Sequence, residues 1–276
     1  MARVLVIGRD GMLARAMRHV LAKRGHEVRC LGRSEHDIRH RGAAIDLAGL
    51  DAAVNAAGLI NRHLTGGAAA EDALLVNGLF PRLLADRCQL AGLPFVHIST
   101  DCVFDGTRGR HLESDPPTAT DLYGRSKALG EPLNSLVLRT SIVGPEVANG
   151  DSLLCWFLAQ AGECQGYDHH LWNGLTTLEL SRLVAVLLER GITERGIRHV
   201  FGEDQTKRQV LEAFRDAFAH PIRIRPVAGG TPRDMRLATA YPGFLEGLGV
   251  RPFGEQLTEL RAVMDERGFW RPDVTP

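Results

Sequence analysis

The feature that most constrains the fold is a regular alternation of short apolar runs and amphipathic segments along the first 145 residues. The apolar runs have the length of strands, and the segments between them repeat apolar residues with helical spacing. Strands that alternate with helices build a parallel sheet, because each helix returns the chain to the same end of that sheet. The sequence therefore predicts an α/β fold with a doubly wound parallel sheet. The predicted strands are 3–7, 26–31, 52–54, 94–100 and 136–143; the predicted helices are 13–25, 68–91, a short one in 43–50, and one that carries Tyr123 and Lys127.

A glycine-containing turn follows the first predicted strand and opens the first predicted helix. Gly8 would allow a tight turn, Gly11 would let the backbone approach a pyrophosphate, and Ala14 would let the helix pack closely on the sheet. The free N–H groups of that helix would then face the phosphates. The turn predicts a dinucleotide site; the alternative is an ordinary connection between strand and helix.

The end of the second predicted strand indicates which dinucleotide would bind. An acidic residue there would hold a ribose 2′-hydroxyl, whereas an arginine can hold a 2′-phosphate. We find Arg33 and expect no Asp or Glu at the tip itself, so the sequence favours NADPH, with NADH as the alternative. Arg33 as a solvated loop residue is the other interpretation.

Polar side chains follow the fourth predicted strand, and a tyrosine and a lysine follow shortly after. Thr100 and Asp101 end the apolar run 94–100, while Tyr123 and Lys127 are four residues apart and share one face of a helix. A hydroxyl, a phenol and an ammonium group together can move a proton onto or off a carbonyl oxygen. We therefore predict the reaction centre at this strand end.

Charge, hydropathy and cysteine spacing exclude several classes of function. The formal net charge is zero and no block of like charges occurs, which argues against nucleic-acid and anionic-membrane partners. No apolar run reaches the length of a membrane span, and the N-terminus lacks signal-peptide character. The five cysteines are scattered, so we expect free thiols, no metal site and a cytoplasmic location.

The character of the chain changes after residue 150. We predict a nucleotide-binding domain at 1–150 and a smaller α/β substrate-binding lobe at 151–276, which returns to the first domain through a strand near 197–201. Segment 162–174 is expected to be irregular. In the first domain, Asn77 is expected to be an exposed polar residue of the long helix. The predicted helices of the lobe are 152–161, 178–188, 207–218 and 254–267, and a further strand is predicted at 222–226.

Two motifs identify a resemblance that covers essentially the whole chain. They are Ser-Thr-Asp-Cys-Val-Phe-Asp-Gly at 99–106 and Tyr-Gly-Arg-Ser-Lys at 123–127, supported by 138–144 and by weaker matches at 174–177, 196–202 and 232–237. The chain resembles the extended short-chain dehydrogenase/reductase family, in particular its dTDP-4-dehydrorhamnose reductase-like, sugar nucleotide-binding members. The resemblance implies a Rossmann-type sheet and NAD(P)H-dependent reduction of a keto group on a nucleotide-linked deoxysugar, in surface polysaccharide or glycoside biosynthesis.

The resemblance also assigns roles to individual residues. Tyr123 would protonate the carbonyl oxygen, Lys127 would lower the pKa of Tyr123 and hold the nicotinamide ribose, and Thr100 would hydrogen-bond the substrate carbonyl. Asp101 would line the sugar pocket. The implied cofactor-binding residues, besides Tyr123 and Lys127, are Gly8, Gly11, Met12 and Leu13 at the pyrophosphate, Arg33, Asp37 and Ile38 at the adenosine, and Ala56, Ala57 and Gly58 along the cofactor.

Two departures from the family pattern concern the sugar end of the site. Cys102 replaces the family's usual tyrosine, and Ile142 replaces an aromatic residue, so these two substrate-binding positions predict a different sugar, or none. Two other functions remain as alternatives: a non-catalytic NADP-binding regulatory subunit, similar to the β subunit of methionine adenosyltransferase, and a nucleotide-sugar epimerase. The resemblance further suggests a homodimer.

Overall fold

The computed structural model describes residues 1–39, 45–64, 66–146, 150 and 152–266. The strands are β1 (Arg3–Ile7), β2 (Glu27–Leu31), β3 (Ala52–Asn55), β4 (Phe95–Thr100), β5 (Leu136–Thr140), β6 (Ile142–Val143), β7 (Glu163–Tyr167), β8 (His170–Trp172), β9 (Leu175–Thr176), β10 (Gly196–His199), β11 (Gln205–Thr206), β12 (Arg223–Val227) and β13 (Arg233–Asp234). The α-helices are α1 (Met12–Lys23), α2 (Ala69–Ala73), α3 (Phe80–Leu90), α4 (Leu122–Leu129), α5 (Leu153–Leu158), α6 (Thr177–Arg190), α7 (Lys207–Phe218), α8 (Pro242–Leu248) and α9 (Phe253–Asp265).

Six strands form the central sheet in the order β2-β1-β3-β4-β5-β10. All five pairs of neighbours are parallel. The chain builds outward from β1 in both directions, so the order of the strands reverses between β1 and β3. This is the predicted Rossmann-type doubly wound sheet, which is confirmed. Ligands of such sheets bind at the carboxyl ends of the strands, next to the reversal point.

Strand residues alternate between the two faces of the sheet, and both faces are covered. Val4 and Val6 belong to one apolar cluster, which also contains Met17 of α1 and Leu183 of α6. The intervening Leu5 belongs to a second cluster, together with residues of α3 on the opposite face. Because a parallel sheet is buried on both faces, its strands are almost continuously apolar, as the sequence shows. The helices thus hold the strand ends at fixed positions.

A third apolar cluster lies under the later elements. It joins α5, α7 and α9, with Phe157 and Phe214 fully buried at its centre. Three small sheets accompany it, in the orders β11-β8-β13, β12-β7 and β6-β9. Segment 162–174, which we expected to be irregular, contains strands β7 and β8, so that prediction is wrong. Their backbone groups pair with later strands, and these partners cannot be inferred from the segment itself.

The structure can also be compared with the predicted short helix, the predicted domain boundary and the predicted late strand. The described part of the predicted 43–50 helix, residues 45–50, is not helical, and 43–44 lie outside the described residues. The predicted boundary at 150 is flanked by residues outside the described chain, and the division into two domains stays a prediction. Strand β10, near the predicted return at 197–201, pairs with β5. No helix in the described ranges is long and apolar enough to cross a membrane.

A buried ion pair connects the end of α4 to the sheet. Glu131 and Arg139 of β5 are 4% and 2% exposed, and both oxygens of the carboxylate accept hydrogen bonds from the guanidinium, at 2.7 and 2.8 Å. The Ser99 hydroxyl of β4 donates to the same carboxylate at 2.6 Å. Arg139 also contacts His199 Nε2 at 3.4 Å, and the other ring nitrogen lies 2.7 Å from the Ala238 carbonyl oxygen. The carboxylate therefore joins β4 to β5, and Arg139 extends the contact to His199 of β10.

Removing one partner of this pair should destabilise the fold strongly. Arg139→Met leaves the Glu131 carboxylate buried without its main donor, and we expect the free energy of unfolding to fall by about 3–5 kcal/mol. Urea unfolding followed by circular dichroism measures this change. The double variant Glu131→Leu/Arg139→Met has no unpaired charge and should be more stable than Arg139→Met; equal stability of the two would contradict the prediction.

Candidate active site

Strand β4 ends in a tight turn that fixes the orientation of two side chains. The Thr100 hydroxyl lies 3.1 Å from Asp101 Oδ1 and accepts a hydrogen bond from the Cys102 backbone N–H, also at 3.1 Å. Thr100 and Asp101 are 7% and 3% exposed. The threonine thereby caps the single 3₁₀ turn that follows the strand. The carboxyl end of the central sheet thus presents a hydroxyl and a carboxyl side by side.

Helix α4 brings the predicted tyrosine and lysine to this strand end. The helix begins after Asp121, whose side chain accepts a hydrogen bond from the Gly124 N–H at 3.0 Å. A Cβ atom at Gly124 would overlap the Cys102 carbonyl oxygen, so only glycine lets the helix approach the turn. The buried Lys127 ammonium donates to the Ile98 carbonyl of β4 at 2.8 Å. The structure therefore brings Thr100, Asp101, Cys102, Tyr123 and Lys127 together, as predicted.

Burial dominates the protonation equilibria of this group. It raises the pKa of the Tyr123 phenol, and the neighbouring Cys102 and Asp101 side chains raise it further, while the Thr100 hydroxyl lowers it. Lys127 is not among the main influences on that phenol. Burial lowers the pKa of Lys127 to about 8, against the attraction of Glu131. At neutral pH the phenol is a proton donor and the lysine is a cation.

Asn77 is a residue of this site that the sequence interpretation missed. We expected it to be exposed, but it is fully buried. Its side chain accepts from the Leu59 N–H and donates to the Leu59 carbonyl, both at 2.8 Å, and donates to Ser126 Oγ of α4 at 3.0 Å. It therefore connects the loop after β3 to α4. The signal was Pro81, four residues later, which cannot complete an α-helical turn and lies next to the π-helical segment Leu74–Leu79.

The glycine turn after β1 forms a cradle beside the end of β3. Gly8 has φ +107°, and a Cβ atom there would lie 3.0 Å from the Ala57 nitrogen, so a side chain is excluded twice. The Gly11 N–H donates to the Gly8 carbonyl at 2.9 Å. Among the described residues no side chain caps the start of α1, so its N–H groups are open to a phosphate. These features fit the predicted pyrophosphate site.

The other residues predicted to bind the cofactor lie along a path from this turn towards Lys127. Leu13 is buried in the core, so only its backbone can face a ligand, while Met12 is partly buried. Ala56 and Ala57 lie against Gly8. A Cβ atom at Gly58 would lie 3.8 Å from Lys127 Nζ. A ligand on the glycine turn could therefore extend along 56–58 to the lysine.

The adenosine end of this path differs from expectation in one respect. The Glu35 carboxylate accepts a hydrogen bond from the Gly32 N–H at 2.9 Å and pairs with Arg9. An acidic group therefore lies at the tip of β2, and our expectation that none would is wrong; the side chain folds back from three residues downstream. Arg33 is exposed at the same tip.

Two further residues predicted to flank the adenosine already have neighbours in the chain. Asp37 accepts hydrogen bonds from Arg39, with Nε at 2.9 Å, and Ile38 packs on the second apolar cluster. Their contact with an adenosine stays a prediction.

The two residues predicted at the sugar end of the site, Cys102 and Ile142, lie in different surroundings. Burial raises the pKa of the Cys102 thiol, so it is a neutral, small side chain where the family carries tyrosine. Ile142 pairs with Leu175 between β6 and β9 and packs against the first apolar cluster. The neighbouring Ser141 hydroxyl accepts a hydrogen bond from Trp172 Nε1 at 2.7 Å, and its interaction with Asp101 favours the charged carboxylate. An indole therefore stands near this end after all, but from β8.

The chain matches known proteins over most of its length. The RmlD substrate binding domain matches residues 2–228. A dTDP-4-dehydrorhamnose reductase of Streptomyces griseus is 31% identical, with 99% of this chain and 92% of that protein aligned. A dTDP-4-keto-6-deoxy-D-glucose reductase of Streptomyces niveus is also 31% identical, over 94% of this chain and 95% of that protein.

Solved structures agree with these relatives in fold. A dTDP-4-dehydrorhamnose reductase of Bacillus anthracis, crystallised in complex with NADP, superposes with a TM-score of 0.75 at 18% identity and covers 95% of this chain and 99% of its own. The parallel sheet of this chain agrees with the sequence matches. The chain belongs to the family of the RmlD substrate binding domain.

Proposed function

We propose that the protein reduces a keto group on a nucleotide-linked deoxysugar with NADPH, in the biosynthesis of a surface polysaccharide or glycoside. The observation that carries this proposal is the grouping of Thr100, Tyr123 and Lys127 at one strand end, next to an uncapped glycine turn. The two 31% identical relatives, a dTDP-4-dehydrorhamnose reductase and a dTDP-4-keto-6-deoxy-D-glucose reductase, support it. The cytoplasmic location stays a prediction from the sequence.

The residues divide the work between binding and proton transfer. The N-terminus of α1, with Gly8 and Gly11, would hold the pyrophosphate of the cofactor, and Lys127 would hold its ribose. The bound nicotinamide supplies the hydride. Thr100 would donate a hydrogen bond to the substrate carbonyl oxygen, and Tyr123, held neutral by burial, would deliver the proton to that same oxygen.

The adenosine end offers two guanidinium groups to a 2′-phosphate. Arg33 is exposed, and Arg9 donates to Ser34 Oγ at 2.9 Å besides its pair with Glu35. The 2′-phosphate of NADPH would pair with these two guanidinium groups. NADH would instead use the Glu35 carboxylate for its 2′-hydroxyl, so it remains the secondary cofactor.

The reductase function can be tested with a panel of 4-keto-6-deoxy nucleotide sugars and NADPH, by following the absorbance of the reduced cofactor. Tyr123→Phe removes the proton donor and should lower kcat by about 10²–10⁴-fold. Tyr241→Phe is the matched control, because that partly exposed ring lies against the Arg198 guanidinium just before α8, and it should keep wild-type activity.

Equal inertness of wild type and Tyr123→Phe across the whole panel would reject the reductase function. Tight NADP binding without turnover, together with a co-purifying catalytic partner, would favour the regulatory subunit. Sugar conversion without net cofactor consumption would favour the epimerase.

The pH dependence should report the buried lysine. Because burial lowers the pKa of Lys127 to about 8, its ammonium is present below pH 8 and lost above it. We expect kcat/KM for NADPH, measured in wild type, to fall about tenfold per pH unit above pH 8. Lys207 also has a pKa lowered to about 8, so Lys207→Gln must keep the alkaline decrease. A decrease that disappears in Lys207→Gln would contradict the assignment to Lys127.

A leucine-rich face supports the proposal of a homodimer. A hollow of about 470 Å³ lies between the helical segment 71–82 and α4. Three leucines that are 48%, 40% and 52% exposed surround it: Leu74, Leu79 and Leu129. Glu71 and Arg82 also line this hollow. In a two-fold dimer the same face meets itself, so each acid could pair with the partner's arginine while the leucines are buried.

The homodimer can be tested by analytical ultracentrifugation, which measures the oligomeric state. The wild type should sediment as a dimer at micromolar concentration, and Leu74→Glu should sediment as a monomer, because it places a charge in the apolar contact. Leu112→Glu makes the same kind of change at a partly exposed position outside the hollow and should remain dimeric. A monomeric wild type would rule the dimer out.

A further inference from the structure

A row of basic side chains crosses the three-stranded sheet of the C-terminal part. Strand β8 lies in the middle, parallel to β13 and antiparallel to β11. His170 of β8 pairs with Arg233 of β13. Thr206 of β11 pairs with Leu171, so the next residue, Lys207, lies beside His170. Strand register thus gathers Lys207, His170 and Arg233 from three distant parts of the chain.

This row faces the strand end that carries the reaction centre. The Asp234 N–H donates to the Gly106 carbonyl at 2.8 Å, and a Cβ atom at Gly106 would lie 2.8 Å from Arg233 Cγ. The Arg233 guanidinium is close enough to Cys102 to favour the charged form of that thiol. Lys207 lies near Asp101, whose charge favours the ammonium form of the lysine. Both cations therefore border the site next to Thr100.

The two cations differ from their neighbours because they have no partner in the described part of the chain. Arg208, one residue after Lys207, binds Asp168 at 2.6 Å and Glu212 at 2.9 Å. Arg236 pairs with Asp234 at 2.6 Å. By contrast, neither Lys207 nor Arg233 makes a side-chain hydrogen bond or an ion pair with any described residue. Burial disfavours the charged form of Lys207, and an anion on this row would offset that penalty.

The helix that begins at Lys207 does not itself offer a free anion site. Its Thr206 hydroxyl accepts from the Gln209 N–H at 3.1 Å, and the Gln209 side chain accepts from the Thr206 N–H at 2.8 Å. This capping box already uses part of the helix N-terminus. The two unpartnered side chains, rather than backbone groups, are therefore the available donors.

We propose that Lys207 and Arg233 bind the diphosphate of the nucleotide-sugar substrate, with His170 between them. This inference rests on the proposed function, since it assumes a nucleotide-linked substrate. A diphosphate carries several negative charges, and the two cations lie on opposite sides of β8, one at the start of α7 and the other on β13. The diphosphate would anchor the nucleotide on the C-terminal part of the chain and place the linked sugar towards Asp101 and Thr100. The row thus supplies binding energy that the small Cys102 side chain does not.

Binding of thymidine diphosphate, followed by isothermal titration calorimetry, tests the row without any turnover. Lys207→Gln and Arg233→Gln should each raise the Kd for thymidine diphosphate at least about tenfold, as expected for a lost charge-assisted hydrogen bond. Lys207→Arg keeps the charge and should restore binding. Arg223→Gln, which neutralises an 80% exposed side chain on β12, is the charge-matched control and should bind like wild type. Thymidine, which lacks the diphosphate, should not distinguish the variants.

Steady-state kinetics separate this inference from the proposed function. Both variants should raise KM for the nucleotide sugar and leave KM for NADPH unchanged. If wild type and both Gln variants bind thymidine diphosphate equally, or if the wild type does not bind it, the row has no such role. A wild type that binds it through Lys207 and Arg233 but reduces no sugar would reject the reductase and keep the diphosphate site. Turnover of the nucleotide sugar with an unchanged KM in both variants would keep the reductase function and reject the diphosphate site.

Discussion

The ion pair between Glu131 and Arg139 is the interaction on which the geometry of the site depends. A carboxylate without water needs several donors, and Glu131 obtains them from the Arg139 guanidinium and the Ser99 hydroxyl. Ser99 directly precedes Thr100, and Glu131 follows the helix of Tyr123 and Lys127. The pair therefore fixes the position of α4, which carries Tyr123 and Lys127, relative to Thr100 at the end of β4.

The same region also contains groups whose charged forms are disfavoured by burial. Asp101, Lys127 and Lys207 all have pKa values shifted towards the neutral form, with burial as the largest cause. Such groups lower the stability of the protein, and they are arranged before any ligand arrives. Preorganised charges in a dry site act on a developing charge without reorganisation, which is the usual physical source of enzymatic rate enhancement. The well-paired ion pair beneath them offsets part of the loss in stability.

The sequence predicted the parallel sheet because strands that are buried on both faces are almost continuously apolar, and such runs are visible in the sequence. It also predicted the meeting of Thr100, Tyr123 and Lys127, since a strand end and a helical four-residue spacing are local facts. It failed where the outcome depends on distant partners. The burial of Asn77 requires Leu59 and Ser126, and β8 exists because β11 and β13 lie beside it. The position of Glu35 depends on a loop that folds back onto Gly32.

Strand β10 completes the sheet although it is made late in the chain. It covers the edge of β5, whose residues Leu136–Thr140 are all buried. A nascent chain that ends before residue 196 would leave this apolar edge with unpaired N–H and C=O groups, a template for association with other chains. Helix α6, which packs with α1 on one face of the sheet, would be missing as well if the chain ended at 150. On a ribosome, the first half should thus remain dependent on the second, and protection by a chaperone until residue 199 has emerged would favour correct folding.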